Sequence, residues 1–328
     1  MNWSDIVHTP QKLGRLVLAP SYAPGTFDSH AVDCPFLFAR DGRFWMTYVG
    51  WDGIGYQRGL AGSDDLMSWE KEGLIIGRGR QGTVTEYNVA MTSLLRHNDL
   101  FGPCTLKRVS NHYVGTYHAY PNPGYEAGPA IIGLCYSDDL RSWEVGPAVL
   151  EPDSTAAWEA GGLYKSWLME VAGTYYHFYN AKNRTYGPWI EQTGFATSTD
   201  LTHWERFPGN PVLPVGASGS FDDRFASDPC VLRHGDTWLL FYFGLCSDGH
   251  EREGFAVSQD LRKWQKSHEI LIDVGAEGTI DSLYVHKPSM ISCDGRLYHF
   301  YCAVAPRTDE QPDGIDYDCV CGIPFASA

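Results

Sequence analysis

Four pairs of adjacent residues have side chains that could do chemistry, and each pair precedes a proline or a serine in its place. They are Asp33-Cys34, Tyr164-Lys165, Ser227-Asp228 and His286-Lys287. Carboxylates, ammonium groups and an imidazole can move protons and bond hydroxyl groups. Burying such groups without partners would cost roughly 2–7 kcal/mol each. We therefore expect them to line a shared concave site.

The elements that must position these pairs follow from a repeat in the chain. Four stretches share the pattern S-x-D-L-x-x-W and begin at Ser63, Ser137, Ser198 and Ser258. Self-similarity at such a period indicates an array of like units. Ser and Asp side chains bond to backbone groups in turns, and Leu and Trp bury apolar area. We interpret the motif as scaffold because every unit has it.

Each unit contains four short apolar runs separated by turn residues, which is typical of a four-stranded antiparallel propeller blade. In the second unit the runs are Thr105–Val109, His112–Tyr120, Pro129–Ser137 and Ala148–Leu150. A fifth unit, from Pro288 onward, lacks the motif, so we expect the irregular segment 1–25 to complete it and close the ring. The sequence predicts an all-β fold, in which residues 1–328 form a single five-bladed β-propeller domain around a central axis.

A second alignment concerns acidic residues seven positions before each proline or serine. They are Asp28, Glu159, Asp222 and Asp281. An acid that recurs in several blades indicates a hydrogen-bonding role in the turn between blades. Glu159 nevertheless stays a candidate for catalysis.

The loops that join the second and third strands of each unit should open on the same mouth as the four pairs. They are Trp51–Tyr56, Pro121–Glu126, Asn180–Glu191, Asp248–Glu253 and Arg307–Asp316. Their aromatic rings can stack on sugar rings, and their amides, carboxylates and guanidinium groups can bond paired hydroxyls. The loops thus favour a carbohydrate ligand.

With these motifs the chain resembles the five-bladed propeller glycosidases, which include glycoside hydrolase families 32, 43, 62, 68, 117 and 130. Val32-Asp33-Cys34-Pro35 is similar to the Glu-Cys-Pro triplet of family 32, with Asp for Glu and in a different blade. Ala226-Ser227-Asp228-Pro229 is similar to that family's Arg-Asp-Pro, with Ser for Arg. Asp33 also fits the base position of family 43. Gly102-Pro103-Cys104 and Tyr164-Lys165 depart from its modulator and acid positions.

The resemblance implies a glycoside hydrolase that acts on an oligosaccharide or glycoside in a funnel at the propeller axis, by carboxylate acid/base catalysis. We predict Asp33 as the base or nucleophile. Asp228 should stabilise the oxocarbenium-like transition state or tune a neighbour's pKa. Glu159 is the predicted acid, with Glu191 and Glu86 as alternatives.

The predicted substrate-binding residues are polar or aromatic groups near the expected mouth: Lys165, Asn183, Arg184, Trp189, Glu191, Arg224, His286 and Lys287. Among them, Lys165, His286, Lys287 and Arg224 would also suit a phosphate group. A phosphate-dependent glycoside phosphorylase is therefore one alternative, and a non-catalytic carbohydrate-binding propeller is another.

Composition limits the partners. The formal net charge of −15 and the lack of a basic cluster exclude a nucleic-acid partner. The start of the chain lacks the pattern of a signal peptide, no stretch reaches the length of a membrane span, and nine scattered cysteines suit a reducing compartment, so we expect a cytoplasmic protein. The expected partner is a small carbohydrate, and no oligomeric state is predicted. No cofactor is required and no metal ligand is assigned, although relatives with an axial cation allow a divalent cation near His286.

Overall fold

The structure is a computed structural model that describes residues 2–184, 189–309 and 317–328. In those ranges one short helix, α1 (Trp3–Val7), precedes a chain of antiparallel strands. No helix in the described ranges is long and apolar enough to cross a membrane.

The strands form five successive antiparallel blades, which confirms the predicted all-β propeller. After β1 (Gln11–Lys12), blade one contains β2 (Ala31–Arg40), β3 (Arg43–Trp51), β4 (Tyr56–Ser63) and β5 (Glu70–Ile76). Blade two contains β6 (Ala90–Leu94), β7 (Arg108–Val109), β8 (His112–Ala119), β9 (Ile131–Ser137) and β10 (Glu144–Leu150). Blade three contains β11 (Gly162–Val171), β12 (Thr174–Lys182), β13 (Glu191–Ser198) and β14 (Glu205–Arg206). Blade four contains β15 (Phe225–His234), β16 (Thr237–Leu245), β17 (Glu251–Ser258) and β18 (Gln265–Lys266), and blade five contains β19 (Tyr284–Cys293), β20 (Arg296–Pro306), β21 (Cys319–Gly322) and β22 (Phe325–Ser327).

The N-terminal segment supplies the outer strand of blade five. β1 pairs antiparallel with β22, with Gln11 opposite Ser327 and Lys12 opposite Ala326. The fifth unit lacks the S-x-D-L-x-x-W strand, and the pairing shows what replaces it. The two ends of the chain are thereby joined in one sheet.

The S-x-D-L-x-x-W motif builds the same turn four times, as the repeat predicted. In blade one, Asp65 Oδ1 accepts from the backbone N–H groups of Met67 and Ser68 at 2.8 Å, and the Trp69 indole donates to the Leu66 carbonyl at 3.0 Å. The leucine has a left-handed φ in every copy, 64° at Leu66. The side chains replace backbone hydrogen bonds in a strained turn, so the motif is structural.

The four aligned acids share one environment. Each is buried and accepts a hydrogen bond from a tyrosine 20 residues further on, in the pairs Asp28–Tyr48, Glu159–Tyr179, Asp222–Tyr242 and Asp281–Tyr301. Each also contacts one cation from an outer strand, in the order Lys71, Arg206, Lys266 and Lys12. A buried carboxylate with such partners is a satisfied structural group. Lys12 comes from β1, so the closing strand also supplies this ion pair for blade five.

Blade two departs from the sequence-based prediction. Its inner strand is β6, whereas of the predicted strand Thr105–Val109 only Arg108 and Val109 pair with β8. Thr85 takes the place of the acid, because Gly79 N–H donates to the Thr85 carbonyl as Gly216 N–H does to that of Asp222. The prediction was wrong because β6 is short, lacks the proline that marks the inner strands of blades one, four and five, and is followed by a long excursion.

A bulge opens the inner strand of the other four blades. The second residue of each chemical pair has a left-handed φ, in the order Cys34 48°, Lys165 32°, Asp228 59° and Lys287 62°. The strand register shifts at the same place in each blade. A bulge bends the strand and re-aims side chains. Proline is tolerated there because the ladder is already interrupted.

Arg96 links the inner strands of several blades from inside the core. Its side chain is fully buried and donates to the carbonyls of Leu37 in β2 and Met290 in β19. The guanidinium group lies 5.3 Å from the Phe36 ring and 5.1 Å from the Trp167 ring of β11. A cation that is part of the chain therefore holds blades one, two, three and five together.

We expect Arg96→Met to lower the free energy of unfolding by about 2–4 kcal/mol, because two buried carbonyls lose their donors. Urea unfolding followed by tryptophan fluorescence measures the change. Arg141→Met is the matched control, since the Arg141 side chain is 55% exposed and pairs with Glu72. It should shift stability by no more than about 0.5 kcal/mol. Equal midpoints for the two variants would contradict the role of Arg96.

Candidate active site

A cavity of about 130 Å³ opens where the inner strands begin. Residues of all five blades line it: Asp33, Cys34, Val49, Tyr56, Ala90, His118, Tyr120, Tyr125, Glu126, Tyr164, Lys165, Trp189, Glu191, Phe225, Asp228, Phe243, Glu251, His286 and Lys287. Aromatic walls around convergent charged groups are the general form of a small-molecule site.

The bulges explain why so many charged groups reach one cavity. In a regular strand, consecutive side chains point to opposite faces. Here both members of Asp33-Cys34, Tyr164-Lys165 and His286-Lys287 line the cavity. The left-handed residue turns the second side chain to the same side as the first.

Asp33 is held as a carboxylate. Its Oδ1 accepts from the Cys34 backbone N–H at 2.7 Å, and its Oδ2 contacts the Lys287 ammonium group. Burial alone would raise the pKa of Asp33, but the charges of Lys287 and then His286 overcome it and hold the pKa well below its usual range. Asp33 is thus ionised throughout the physiological pH range.

Glu191 has the opposite tendency. Its Oε1 accepts from the Tyr164 hydroxyl and the Trp189 indole N–H, each at 2.7 Å, and its Oε2 accepts from Ser227 Oγ at 2.9 Å. Burial, and then the charge of Glu126, raise the pKa of Glu191 to about 7. A carboxyl group that keeps its proton near neutrality can act as a general acid.

Glu126 and Lys182 form an ion pair beside Glu191. Glu126 Oε2 lies 2.8 Å from Lys182 Nζ. The ammonium group also lies 4.8 Å from the Tyr164 ring and 4.7 Å from the Trp189 ring. The two aromatic side chains that bond Glu191 are therefore packed against the lysine that neutralises Glu126.

Asp228 is the third buried carboxyl group. Burial raises its pKa to about 6 against the opposing charges of Lys165 and Lys287. Its Oδ2 is buried without a partner among the described residues. The side-chain amide of Asn180 has one end 3.2 Å from Asp228 Oδ1 and the other 3.3 Å from Glu191 Oε2. Asn180 thus spaces the two carboxyl groups.

Two histidines border the carboxylates. His286 Nδ1 contacts the Glu251 carboxylate, and its Nε2 is buried without a partner in the described ranges. Burial, and then the charges of Lys287 and Lys165, lower the pKa of His118 to about 3, so its ring is neutral. His118 Nδ1 accepts from the Lys165 backbone N–H at 3.2 Å. The unpartnered atoms of His286 and Asp228 are available to a ligand hydroxyl.

The structure brings most of the predicted site residues together. Those at the cavity are Asp33, Asp228, Lys165, Trp189, Glu191, His286 and Lys287. Those that do not line it are Glu159, Asn183, Arg184, Arg224 and the alternative acid Glu86. Four of the five predicted loops contribute to the mouth, and residues 310–316 of the fifth lie outside the described residues.

Glu159 is corrected as the acid. Its carboxylate is fully buried and bonds Tyr179 at 3.0 Å, Arg206 at 2.7 Å and the Asp153 backbone N–H at 3.1 Å. Arg206 holds it ionised in the turn between blades, where it has no access to the cavity. Glu191, which sequence analysis placed second, has the burial and the raised pKa that the role requires.

Glu126 and Glu251 were not singled out individually. A third repeat would have found Glu251: Tyr56-Gln57-Arg58-Gly59-Leu60-Ala61, Glu191-Gln192-Thr193-Gly194-Phe195-Ala196 and Glu251-Arg252-Glu253-Gly254-Phe255-Ala256 open the third strands of their blades. The first residue of each lines the cavity. Glu126 has no such signal because blade two is irregular.

The cavity does not suit a hard divalent cation. Ligand atoms of Asp33, His286 and Cys302 lie within 4.8 Å of one another. However, Lys287 and the Cys34 N–H occupy the two oxygens of Asp33, and a thiol is a poor ligand for Ca²⁺ or Mg²⁺. Lys287 supplies the positive charge that a cation would bring.

The phosphate set is only partly assembled. Lys165, His286 and Lys287 meet at the cavity, but Arg224 does not line it. Lys287 is paired with Asp33, and His286 with Glu251. Two of the cations are thus already neutralised by the protein.

Comparisons with known proteins agree with this geometry. A sequence model of the family described as "Glycosyl hydrolases family 32 N-terminal domain" matches residues 97–293. No protein of curated function matches the sequence.

Several solved structures are similar over nearly the whole chain. One, described as a complex of BT0996 with RGII, is 29% identical with a TM-score of 0.82 and covers 99% of this chain and 93% of its own. Another, described as "Glycoside hydrolase", is 27% identical with a TM-score of 0.80 over 99% and 93%. A family 117 glycoside hydrolase from the marine bacterium Zobellia galactanivorans is 15% identical with a TM-score of 0.67 over 94% and 88%, and shows the fold alone.

We expect Glu159→Gln to lower the free energy of unfolding by about 1–3 kcal/mol, because Arg206 and Tyr179 lose a buried ionised partner. Its kcat/KM on a cleaved glycoside should stay within about twofold of the unmodified enzyme. Asp222→Asn, at the equivalent position of blade four, is the control and should behave alike. A large loss of turnover in folded Glu159→Gln, with Asp222→Asn unaffected, would restore Glu159 as the acid.

The pH dependence should report Glu191. Because the acid must carry a proton, kcat/KM should fall as the pH rises through about 7. Glu126→Gln removes a like charge that raises this pKa, so the fall should move to lower pH. Glu170→Gln removes a carboxylate bonded to Lys107 away from the cavity and should leave the profile unchanged. An unshifted profile in Glu126→Gln would show that another group titrates.

Proposed function

Because this protein belongs to the glycosyl hydrolase family 32 N-terminal domain family and is a glycosidase, we propose that it removes one terminal sugar residue at a time from an oligosaccharide or glycoside. The enclosed shape of the site supports this mode. Its volume of about 130 Å³ is below the roughly 300–1,000 Å³ of pockets for drug-sized ligands. A pocket of this size, at the blind end of a propeller mouth, holds a single ring rather than the interior of a polysaccharide.

Glu191 is the proposed general acid. Protonation of the leaving oxygen avoids expulsion of an alkoxide, and a carboxyl group with a pKa near the working pH serves best. Tyr164, Trp189 and Ser227 fix its orientation. After the bond breaks, the carboxylate is stabilised by the same three donors.

Asp33 is the proposed base or nucleophile. Lys287 and the Cys34 N–H keep it ionised and immobile. It either attacks the anomeric carbon or takes a proton from the attacking water. The two roles need carboxyl groups of opposite protonation state, and the environments of Asp33 and Glu191 drive their pKa values apart.

Asp228 and its neighbours would hold the ring. The buried Oδ2 of Asp228 and Nε2 of His286 can bond hydroxyl groups. Negative charge on Asp228 would also stabilise the positive charge that develops at the anomeric carbon. Lys165 balances that charge when no ligand is bound.

A similar structure suggests a first natural substrate. The protein described as a complex with RGII is 29% identical to this one over nearly its whole length. We propose oligosaccharides of RGII as the first complex substrates to test, beside synthetic glycosides.

We expect Asp33→Asn and Glu191→Gln each to lower kcat/KM at least about 100-fold without unfolding the protein. The leaving group separates their roles. Glu191→Gln should recover on glycosides of acidic phenols, which leave without protonation, whereas Asp33→Asn should not. Glu86→Gln, a carboxylate away from the cavity, is the control and should keep normal turnover.

The product identifies the reaction. Free sugar should form at the same rate with and without inorganic phosphate. A sugar 1-phosphate formed only in its presence would identify a phosphorylase instead. Turnover at the normal rate in both Asp33→Asn and Glu191→Gln would overturn the proposed mechanism.

A further inference from the structure

One sector of the cavity floor offers no hydrogen-bonding group. Blades one, three, four and five place Asp33, Lys165, Asp228 and the His286-Lys287 pair at the starts of their inner strands. In blade two the strand β6 starts with Ala90 and Met91, and the methyl group of Ala90 lines the cavity.

Two neighbours extend this apolar sector. Cys34 and Val49 of blade one line the cavity and belong to the same packed cluster as Ala90. Burial, and then the charge of Asp33, raise the pKa of the Cys34 thiol to about 12, so it remains an uncharged and weak donor. We call Cys34, Val49 and Ala90 the apolar edge.

The apolar edge differs from the aromatic surface on the side of blades three and four. There Trp189 and Phe225 stack with ring centroids 6.2 Å apart at 13°, and Phe243 packs beside them. Flat rings suit the C–H face of a sugar. A thiol, a branched aliphatic group and a methyl group form no platform, so they suit a small group at the rim of a sugar.

From this we propose that the pocket selects a sugar whose exocyclic hydroxymethyl group is replaced by methyl or is absent, namely a 6-deoxyhexose or a pentose in the pyranose form. The inference rests on the proposed function, because it concerns the single ring held in the cavity. Every ring hydroxyl of a pyranose is polar. The exocyclic carbon is the one substituent that can be apolar or missing, so it alone can face the apolar edge without loss.

The charged side of the cavity can take the remaining hydroxyl groups. Asp228 Oδ2 and His286 Nε2 are buried without partners among the described residues, and Lys165 lies on the same floor. A glycoside of a pentopyranose or a 6-deoxyhexopyranose has only ring hydroxyls. A hexopyranoside would bring a further hydroxyl against Cys34, Val49 and Ala90.

The test compares 4-nitrophenyl glycosides that differ only at the exocyclic carbon: β-D-fucoside with β-D-galactoside, α-L-arabinopyranoside with β-D-galactoside, β-D-xyloside with β-D-glucoside, and α-L-rhamnoside with α-L-mannoside. Within a cleaved pair, the member without the hydroxymethyl group should have the higher kcat/KM by about 10- to 100-fold, the range expected when a buried hydroxyl lacks a partner. Calorimetry with the corresponding free sugars gives the same comparison without turnover.

Two variants place a hydroxyl on the apolar edge. Ala90→Ser and the nearly isosteric Val49→Thr should each narrow the ratio within a pair, chiefly by improving the hydroxymethyl member. Ala130→Ser is the matched control, because Ala130 packs in the same cluster but does not line the cavity. Its ratio should equal that of the unmodified enzyme.

The outcomes separate the two proposals. Equal or better cleavage or binding of the hydroxymethyl members overturns this inference and leaves the proposed function intact. A ratio unchanged in both folded variants also overturns it, because the edge would then not contact the exocyclic carbon. Neither cleavage nor binding of any sugar would overturn the proposed function, and this inference with it.

Discussion

The left-handed bulge at the start of the inner strands is the constraint on which the site depends. A regular strand sends only every second side chain to the axis, which would give five blades about five groups there. The bulge residues Cys34, Lys165, Asp228 and Lys287 break this alternation. Strained backbone of this kind persists only where the surrounding sheet enforces it. Each blade can therefore present two adjacent side chains, and acids and cations meet without a long loop.

The same repeat separates scaffold from chemistry. Features present in nearly every blade hold the ring together: the S-x-D-L-x-x-W turn, and the buried acid bonded to a tyrosine and an outer cation. Lys12 repeats that ion pair across the junction of the chain ends. What varies at equivalent positions, such as Asp33 against Lys165, lines the cavity. Repetition gives stability and leaves the variable positions free for function.

Sequence alone predicted the propeller and much of the site because both follow from spacing. Asp33, Lys165, Asp228 and His286-Lys287 occupy one position in successive units, so the symmetry of the fold brings them together. The choice of acid could not be made this way. Glu159 and Glu191 are both glutamates near blade three, and they differ only in that Arg206 neutralises the first while Glu126 repels the charge of the second. Blade two was misaligned because its inner strand lacks the shared pattern.

Charge pairing explains why the cavity is both stable and reactive. Lys287 pairs with Asp33, Lys182 with Glu126 and His286 with Glu251, so most of the buried charge is neutralised within the protein. Glu191 and Asp228 lack a direct ion pair among the described residues, and burial raises the pKa of each. The protein thus leaves unneutralised the carboxyl groups that must gain or lose a proton, or face a developing positive charge, during glycoside cleavage. A fully paired cavity would be more stable, but it would hold no acid able to protonate a leaving oxygen.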